Sequence, residues 1–203
     1  MTYEEKDAKL RGEFRRWWQG LTDATHDGMH RQRGALARLR RIDLIETLGR
    51  RAPDVVAALM EEPFRDLIQA VQPFHDLHQM QDERIEDLVT AAVTLARLRL
   101  DIRHRTTAQM LGGKKDEDRV LKEGRFLALM RSDTPADLFD QARRLPDLLR
   151  NEAPVGELGV SLLLWRTTPS VRRDWARDYY HLDLGGRERR SESPGPAPIA
   201  VGA

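Results

Sequence analysis

The sequence predicts an all-α fold, and three observations indicate it. Apolar residues recur at helical spacing along most of the chain. Sustained alternation of apolar and polar residues, which is typical of a half-buried strand, is absent. Several prolines stand where a periodic segment begins, and proline is favoured in a first helical turn. We therefore expect a bundle of roughly eight to nine helices.

Two amphipathic helices are predicted first. The stripe of the first comprises Leu10, Phe14, Trp17, Trp18 and Leu21. The stripe of the second comprises Ala35, Leu36, Leu39 and Ile42. A new helix is expected to open near Pro63, in EEPFRDLIQAV. Residues 82–105 form the longest predicted helix, and because it is apolar on two faces we expect it at the centre of the bundle.

The second half begins with TTAQMLGGKK, which is predicted as a loop, and continues with a helix through DEDRVLKEGRFLALMR. Thr134, Pro135 and Asp137 have the pattern of an N-cap, a first-turn proline and a capping-box acid. Pro146 is expected to kink that helix. Further helices are predicted around VGELGVSLLLWR and SVRRDWARDYY, the last opened by Thr168 and Pro169.

The loop at residues 106–116 is the predicted boundary between two helical subdomains, residues 1–105 and 117–183. Residues 184–203 are rich in proline, glycine and serine and poor in apolar residues, so we expect a disordered tail.

Composition excludes several classes of function. The 203 residues include 34 basic and 33 acidic ones, so net charge predicts no partner. The absence of cysteine excludes disulfides, thiolate zinc sites and cysteine nucleophiles. No apolar run approaches the length of a membrane span, and the N-terminus lacks the apolar core of a signal peptide. We therefore expect no membrane contact and a cytoplasmic location.

The segment RGALARLRRI, residues 33–42, concentrates positive charge without an acid. On a helical wheel Arg33, Arg40 and Arg41 lie opposite the aliphatic residues, with Arg38 at the edge. Arginine suits phosphate because its planar fork donates two hydrogen bonds at once. Phosphate binding and a merely solvated face are equally compatible with this pattern.

The segment RLRLDIRHR, residues 97–105, is a second basic stretch. The N-terminal half of the same predicted helix is acidic, and this asymmetry complements a helix macrodipole. A structural explanation is therefore preferred here.

Histidine spacing raises the hypothesis of a metal-dependent hydrolase. His26 and His30 stand four apart, and His75 and His78 three apart. The glutamate of an HExxH motif is missing, and the chain has no GxSxG motif or Walker-type phosphate loop. We expect no metal, no cofactor and no catalytic residue.

Five stretches in a fixed order resemble the CasB family, the small subunit of the type I-E CRISPR surveillance complex Cascade. They are FRRWWQGL, GALARLRRI, EPFRDLIQAVQPF, EGRFLALMRSDTPADLFDQARRLPDLL and LLLWRTTPSVRRDWARDYY, spanning about residues 10 to 181. The resemblance implies an all-α protein of two helical subdomains without catalytic activity. It also implies head-to-tail self-pairing and contacts with the backbone subunits and the large subunit. Basic surfaces are expected to run beside the guide RNA–target heteroduplex, to hold the displaced DNA strand and thus to stabilise the R-loop.

The matching motif positions give the candidate nucleic-acid-binding residues Arg40, Arg41, Arg84, Arg125, Arg131, Arg143 and Arg144. Charge patterning adds Arg33, Arg38 and Arg172. Pro146 departs from the family pattern, which puts the orientation of Arg143 and Arg144 in doubt. An alternative function is a pure assembly module, whose arginines pair with acidic surfaces of protein partners and make no direct contact with nucleic acid.

Overall fold

The computed structural model describes residues 3–22, 29–47, 49–74 and 82–182. Helix α1 (Tyr3–Thr22) and helix α2 (Met29–Leu39) open the chain. Every residue of the predicted α1 stripe is buried, and so are Ala35, Leu39 and Ile42 of the second stripe. The indole of Trp17 donates a hydrogen bond to the carbonyl of Pro63 at 2.6 Å, which ties α1 to the segment around Pro63.

A short hairpin follows α2, although no strand is predicted there. Strand β1 (Leu44–Thr47) pairs antiparallel with β2 (Arg50–Pro53), and Gly49 has the positive φ of 75° that the turn requires. Asp54 then caps helix α3 (Val55–Leu59) by accepting the amide hydrogen of Ala57. Helix α4 (Glu62–Val71) has proline in its first turn, which confirms the prediction of a new helix there.

Helix α5 (Asp82–Leu95) is the central helix, as predicted, because residues 86–96 are all buried. It packs against helix α10 (Val155–Leu164), which also contacts α1. Two glycines permit the close approach of α1 and α10. A Cβ on Gly156 would lie 2.5 Å from the carbonyl oxygen of Arg11, and one on Gly159 would lie 2.6 Å from the ring of Phe14.

The prediction that α5 continues to residue 105 is wrong. The chain leaves the helix after Leu95, and β3 (Leu100–Asp101) pairs in parallel with β4 (Glu152–Ala153). Asp101 fixes this course, since its carboxylate accepts hydrogen bonds from the Val155 amide at 3.0 Å and from Arg15 at 2.9 Å. Tertiary contacts therefore override a helical pattern that the sequence carries locally.

Part of the predicted loop after residue 105 is helical. Thr106 and Gln109 form a capping box at the start of helix α6 (Thr107–Leu111), so the loop prediction is wrong for these five residues. The predicted helix through DEDRVLKEGRFLALMR is divided into a 3₁₀ turn (Asp116–Asp118) and helix α7 (Glu123–Met130).

The C-terminal helices begin where the sequence predicts. Thr134 accepts the amide hydrogen of Asp137 at the start of helix α8 (Pro135–Ala142). Pro146 does not kink this helix; it lies in the first turn of a separate short helix, α9 (Leu145–Leu148), because α8 has already ended. Helix α11 (Pro169–Tyr179) begins at its predicted position and buries Trp175 and Tyr179.

The prediction of an all-α fold is confirmed, and the strands among the described residues are limited to the two small pairs above. An apolar cluster of described residues extends from Leu10 to Tyr179. The division into two subdomains stays a prediction, and the predicted tail lies outside the described residues. None of the described helices has the length and apolar character needed to cross a membrane.

Candidate nucleic-acid interface

The fold brings arginines from four segments of the chain into neighbouring positions. We call this set the arginine belt; it consists of Arg40, Arg41, Arg97, Arg99, Arg125, Arg143 and Arg144.

The first segment is the turn that ends α2. Arg40 and Arg41 continue the helix by one turn, since their amides donate to the carbonyls of Leu36 and Arg38 at 3.1 and 2.9 Å. Ile42 is buried directly after them and anchors the turn in the core. Arg41 is consequently held at the surface, while Arg40 is partly buried.

The second segment follows α5 and meets the first. Arg40 donates from Nε to the carbonyl of Ala96 at 2.7 Å, and Arg97 donates from Nη2 to the carbonyl of Arg40 at 3.3 Å. Burial lowers the pKa of Arg40, and the positive charges of Arg99 and Arg97 lower it further. The positive charges are thus close enough for each to disfavour the protonated form of its neighbour.

The third segment is the C-terminal end of α8. Arg143 donates to the carboxylate of Asp43 at 2.6 Å, and its guanidinium lies 5.8 Å from the ring centroid of Phe139. Because Asp43 follows Arg41 by two residues and Arg144 follows Arg143, this ion pair brings the exposed side chains of Arg41 and Arg144 to the same region.

The fourth segment is α7, which joins the belt through a cavity of about 160 Å³. Arg125 and Arg144 both line this cavity, whose walls come from α7, α8 and α9. Within the described part of the chain, Arg41, Arg99, Arg125 and Arg144 make no ion pair. Four of the seven arginines of the belt therefore form no ion pair with a carboxylate of the described residues.

Two of the predicted site residues are committed to contacts elsewhere. Arg38 forms a two-point ion pair with the buried carboxylate of Glu61 at 2.6 and 2.9 Å, and this hydrogen bonding raises the pKa of Arg38. Arg172 donates to Asp133 at 2.7 Å and to the carbonyls of Trp165 and Met130. These arginines join elements of the fold, as Arg143 also does.

The remaining predicted residues have no contact with the belt. Arg33 and Arg131 are exposed, Arg84 is partly exposed, and none of them forms an ion pair with a described residue. Arg33 lies on α2 seven residues before Arg40, which corresponds to about 10 Å along a helix. Their roles stay predictions.

Arg97 and Arg99 were not selected from the sequence, because a helix macrodipole accounts for basic residues near a helix C-terminus. The structure removes this explanation for Arg99, which lies four residues beyond the end of α5. The available signal in the sequence was the basic segment itself, residues 97–105.

The hypothesis of a histidine metal site falls outside what the structure describes. His26, His75 and His78 are not among the described residues, and neither is the side chain of His30. Among the residues that are described, no group of histidine and acidic side chains has the arrangement of a metal site.

The fold and the arginine belt define a helical protein with a segregated basic surface. A family model described as CRISPR-associated protein Cse2 matches residues 35–180. The chain belongs to this family, which confirms the resemblance to CasB found in the sequence motifs. Family membership supports a role as a subunit of a CRISPR Cascade complex.

Two solved structures have a similar fold. The crystal structure of CasB from Thermus thermophilus is 22% identical with a TM-score of 0.52, over 84% of this chain and 97% of that chain. The crystal structure of a CRISPR-associated protein of the Cse2 family, also from Thermus thermophilus, is 22% identical with a TM-score of 0.51, over 86% of this chain and 97% of that chain. A search of curated proteins found no match.

Proposed function

We propose that this chain is a non-enzymatic subunit of a type I-E Cascade complex and that its arginine belt binds the backbone of nucleic acid. The strand we assign to the belt is the displaced DNA strand beside the guide RNA–target heteroduplex. The observation that carries the proposal is the packing of Arg40 against Arg97, which are linked by hydrogen bonds of 2.7 and 3.3 Å to main-chain carbonyls, with the positive charge of Arg99 nearby. A bound phosphate would relieve the repulsion among these charges.

The physics of R-loops makes such a surface useful. R-loop formation exchanges one duplex for another of similar stability, so modest contacts to the backbone decide its direction. A held single strand requires an electrostatic groove and little base readout. The near-neutral net charge of +1 suits a subunit that acts from within a complex, since free-standing binders usually carry more excess charge.

The structure changes which arginines are the best test of this proposal. Arg41, Arg99 and Arg144 are exposed and form no ion pair with a described residue, so replacing them removes charge without breaking an internal contact. Arg143 instead holds the belt together through Asp43. We therefore assign Arg143 a positioning role and the three exposed residues direct contact with phosphate.

The test is the salt dependence of single-stranded DNA binding by the full chain. The triple variant R41A/R99A/R144A should bind more weakly, and each lost phosphate contact should reduce the log–log salt slope by about 0.7. The control variant K114A/K115A/R173A loses the same charge from exposed positions outside the belt. An unchanged slope in a folded belt variant, or an equal reduction in the control, would contradict the assignment.

The assembly module is retained as a second candidate because α3 exposes apolar side chains. Val56 is 69% exposed and Met60 is 75% exposed, and Ile45 lines one groove together with Val56. Exposed apolar surface of this kind is typical of contacts between proteins. We propose that such contacts serve the other Cascade subunits and head-to-tail self-pairing.

Size-exclusion chromatography with the other subunits and guide RNA separates the two functions. Under the nucleic-acid proposal, the belt variant R41A/R99A/R144A still co-elutes with the complex but stabilises the R-loop less well. If the variant fails to join the complex at all, the belt is a surface for protein partners and the proposal is wrong.

A further inference from the structure

We propose that the cavity between α7, α8 and α9 holds one unstacked pyrimidine base of the bound single strand, while Arg125 and Arg144 contact the phosphates beside it. This inference rests on the proposed function, because it adds a base-binding pocket to the arginine belt. It is carried by the size of the cavity, its apolar walls and the polar groups at its edge.

The walls of the cavity are leucine side chains held in place by the core. Leu121, Leu129 and Leu145 are 5%, 1% and 1% exposed, and Leu148 packs against the same cluster. The main chain of Leu121 is fixed on both sides, since its amide donates to Leu111 at 3.0 Å and its carbonyl accepts the Tyr179 hydroxyl at 2.6 Å. The pocket is therefore formed before a ligand arrives.

The volume of about 160 Å³ suits a single six-membered ring. An engineered apolar cavity of about 150 Å³ in another protein accommodates benzene. A pyrimidine ring fits a cavity of this volume, whereas a purine, with its second ring, is too large for it. The size of the cavity thus favours thymine or cytosine over adenine or guanine.

The edge of the cavity carries the groups that a base and its phosphates require. Gln141 contributes an amide and Asp147 a carboxylate, which can hydrogen-bond to the polar edge of a base. Arg125 and Arg144 supply positive charge on the same rim, and neither is paired with a described acid. Two cations beside an apolar pocket complement a base attached to its anionic backbone better than they complement an aliphatic protein side chain.

The experiment compares strands that differ in a single base. The full chain is titrated by fluorescence anisotropy with an abasic DNA strand, the same strand carrying one central thymine, and the same strand carrying one central adenine. Burial of one ring predicts that thymine tightens binding by about fivefold and adenine by less. Equal binding of the thymine and abasic strands overturns the pocket while leaving the belt intact, whereas failure of every strand to bind overturns the proposed function as well.

Variants locate the effect within the cavity. Leu148→Trp fills the space and should abolish the advantage of thymine, while Leu127→Trp on the exposed side of α7 should preserve it. If circular dichroism shows that Leu148→Trp does not fold, Gln141→Leu decides, since it keeps the size of the side chain and removes the amide. A thymine advantage that persists in folded Leu148→Trp, or in Gln141→Leu where that variant decides, overturns the inference. The inference is also overturned if Leu148→Trp prevents co-elution with the other subunits but leaves strand binding unchanged.

Discussion

Arg40 and Arg97 each donate a hydrogen bond to a main-chain carbonyl at or next to the other residue. Arg40 donates to the carbonyl of Ala96, the residue before Arg97, and Arg97 donates to the carbonyl of Arg40 itself. Two like charges are thereby held together by neutral acceptors, without an acid between them. The end of α2 is thus fixed to the end of α5 by two members of the arginine belt.

This arrangement predicts different effects for two adjacent arginines. Arg40→Met should lower the free energy of unfolding by about 1 kcal/mol, because the Ala96 carbonyl loses a charged donor. Arg41→Met should change it by less than about 0.5 kcal/mol, because Arg41 is exposed and has no described partner. Urea unfolding of the two variants checks this, and equal stabilities would show that the Arg40 hydrogen bond contributes nothing.

Local patterns predicted most of the helices, because periodic burial and capping residues act within a few neighbouring positions. The stripe of α1 and the Thr134 cap of α8 are examples of this. The end of α5 was missed since it depends on the pairing of β3 with β4, whose residues lie far apart in the sequence.

The candidate site could be predicted only in part from the sequence. Family motifs selected Arg40, Arg41 and Arg144, and the fold places these residues in one basic region, although their binding role is still a prediction. The ion pairs of the candidate arginines could not be predicted, because Arg38 contacts Glu61 and Arg143 contacts Asp43 only in the folded chain. Whether an arginine is available to a ligand depends on such distant partners.

The ion pair of Arg166 with Asp87 should be the most costly one to break. The two oxygens of Asp87 accept hydrogen bonds at 2.8 and 3.1 Å, and the side chains are 9% and 0% exposed. Asp87→Ala leaves a buried cation and should destabilise the fold by about 3–5 kcal/mol. Thermal and urea unfolding measure this loss.

Two further variants test that explanation of the Asp87 effect. Asp7→Ala removes the partner of Arg11 from a more exposed pair and should cost less than about 1 kcal/mol. The double variant D87L/R166M replaces the buried pair with apolar side chains and should recover most of the stability. A double variant as unstable as Asp87→Ala would contradict the role of the lost ion pair.

Two glycines in helices should respond differently to substitution by alanine. Gly156 is required by the close approach of α1 and α10, whereas Gly12 is replaceable. Gly156→Ala should destabilise the fold by about 1–3 kcal/mol, because the new methyl group meets the main chain of Arg11, which cannot rotate away. Gly12→Ala should stabilise it by up to about 1 kcal/mol, since nothing lies within 4 Å of the new carbon and alanine favours the helix. Opposite shifts of the melting temperature are expected, and shifts of the same sign would contradict this packing.

The environment of Glu157 should make the free energy of unfolding depend on pH. Its side chain is partly buried, and its carboxyl group accepts hydrogen bonds from the Thr107 amide at 3.0 Å, the Thr107 hydroxyl at 2.6 Å and the Ser161 hydroxyl at 3.0 Å. Burial raises the pKa of Glu157 above its ordinary value of 4.5, and the hydrogen bonds and the charge of Arg11 only partly oppose this. The folded state therefore binds the proton more tightly than the unfolded state does.

The sign of the effect on stability follows from that difference. The contribution of Glu157 is fully present below a pH of 4.5 and is lost as the pH rises through the raised pKa, because folding must then keep a buried charge. Glu157→Gln stays neutral at every pH, and its amide oxygen can still accept from Thr107. Relative to the native chain, this variant should therefore gain free energy of unfolding as the pH rises above about 4.5. Urea unfolding across a pH series measures the gain, with Glu117→Gln at an exposed position as the control for lost charge. Parallel curves for the native chain and Glu157→Gln would show that Glu157 does not titrate differently on folding.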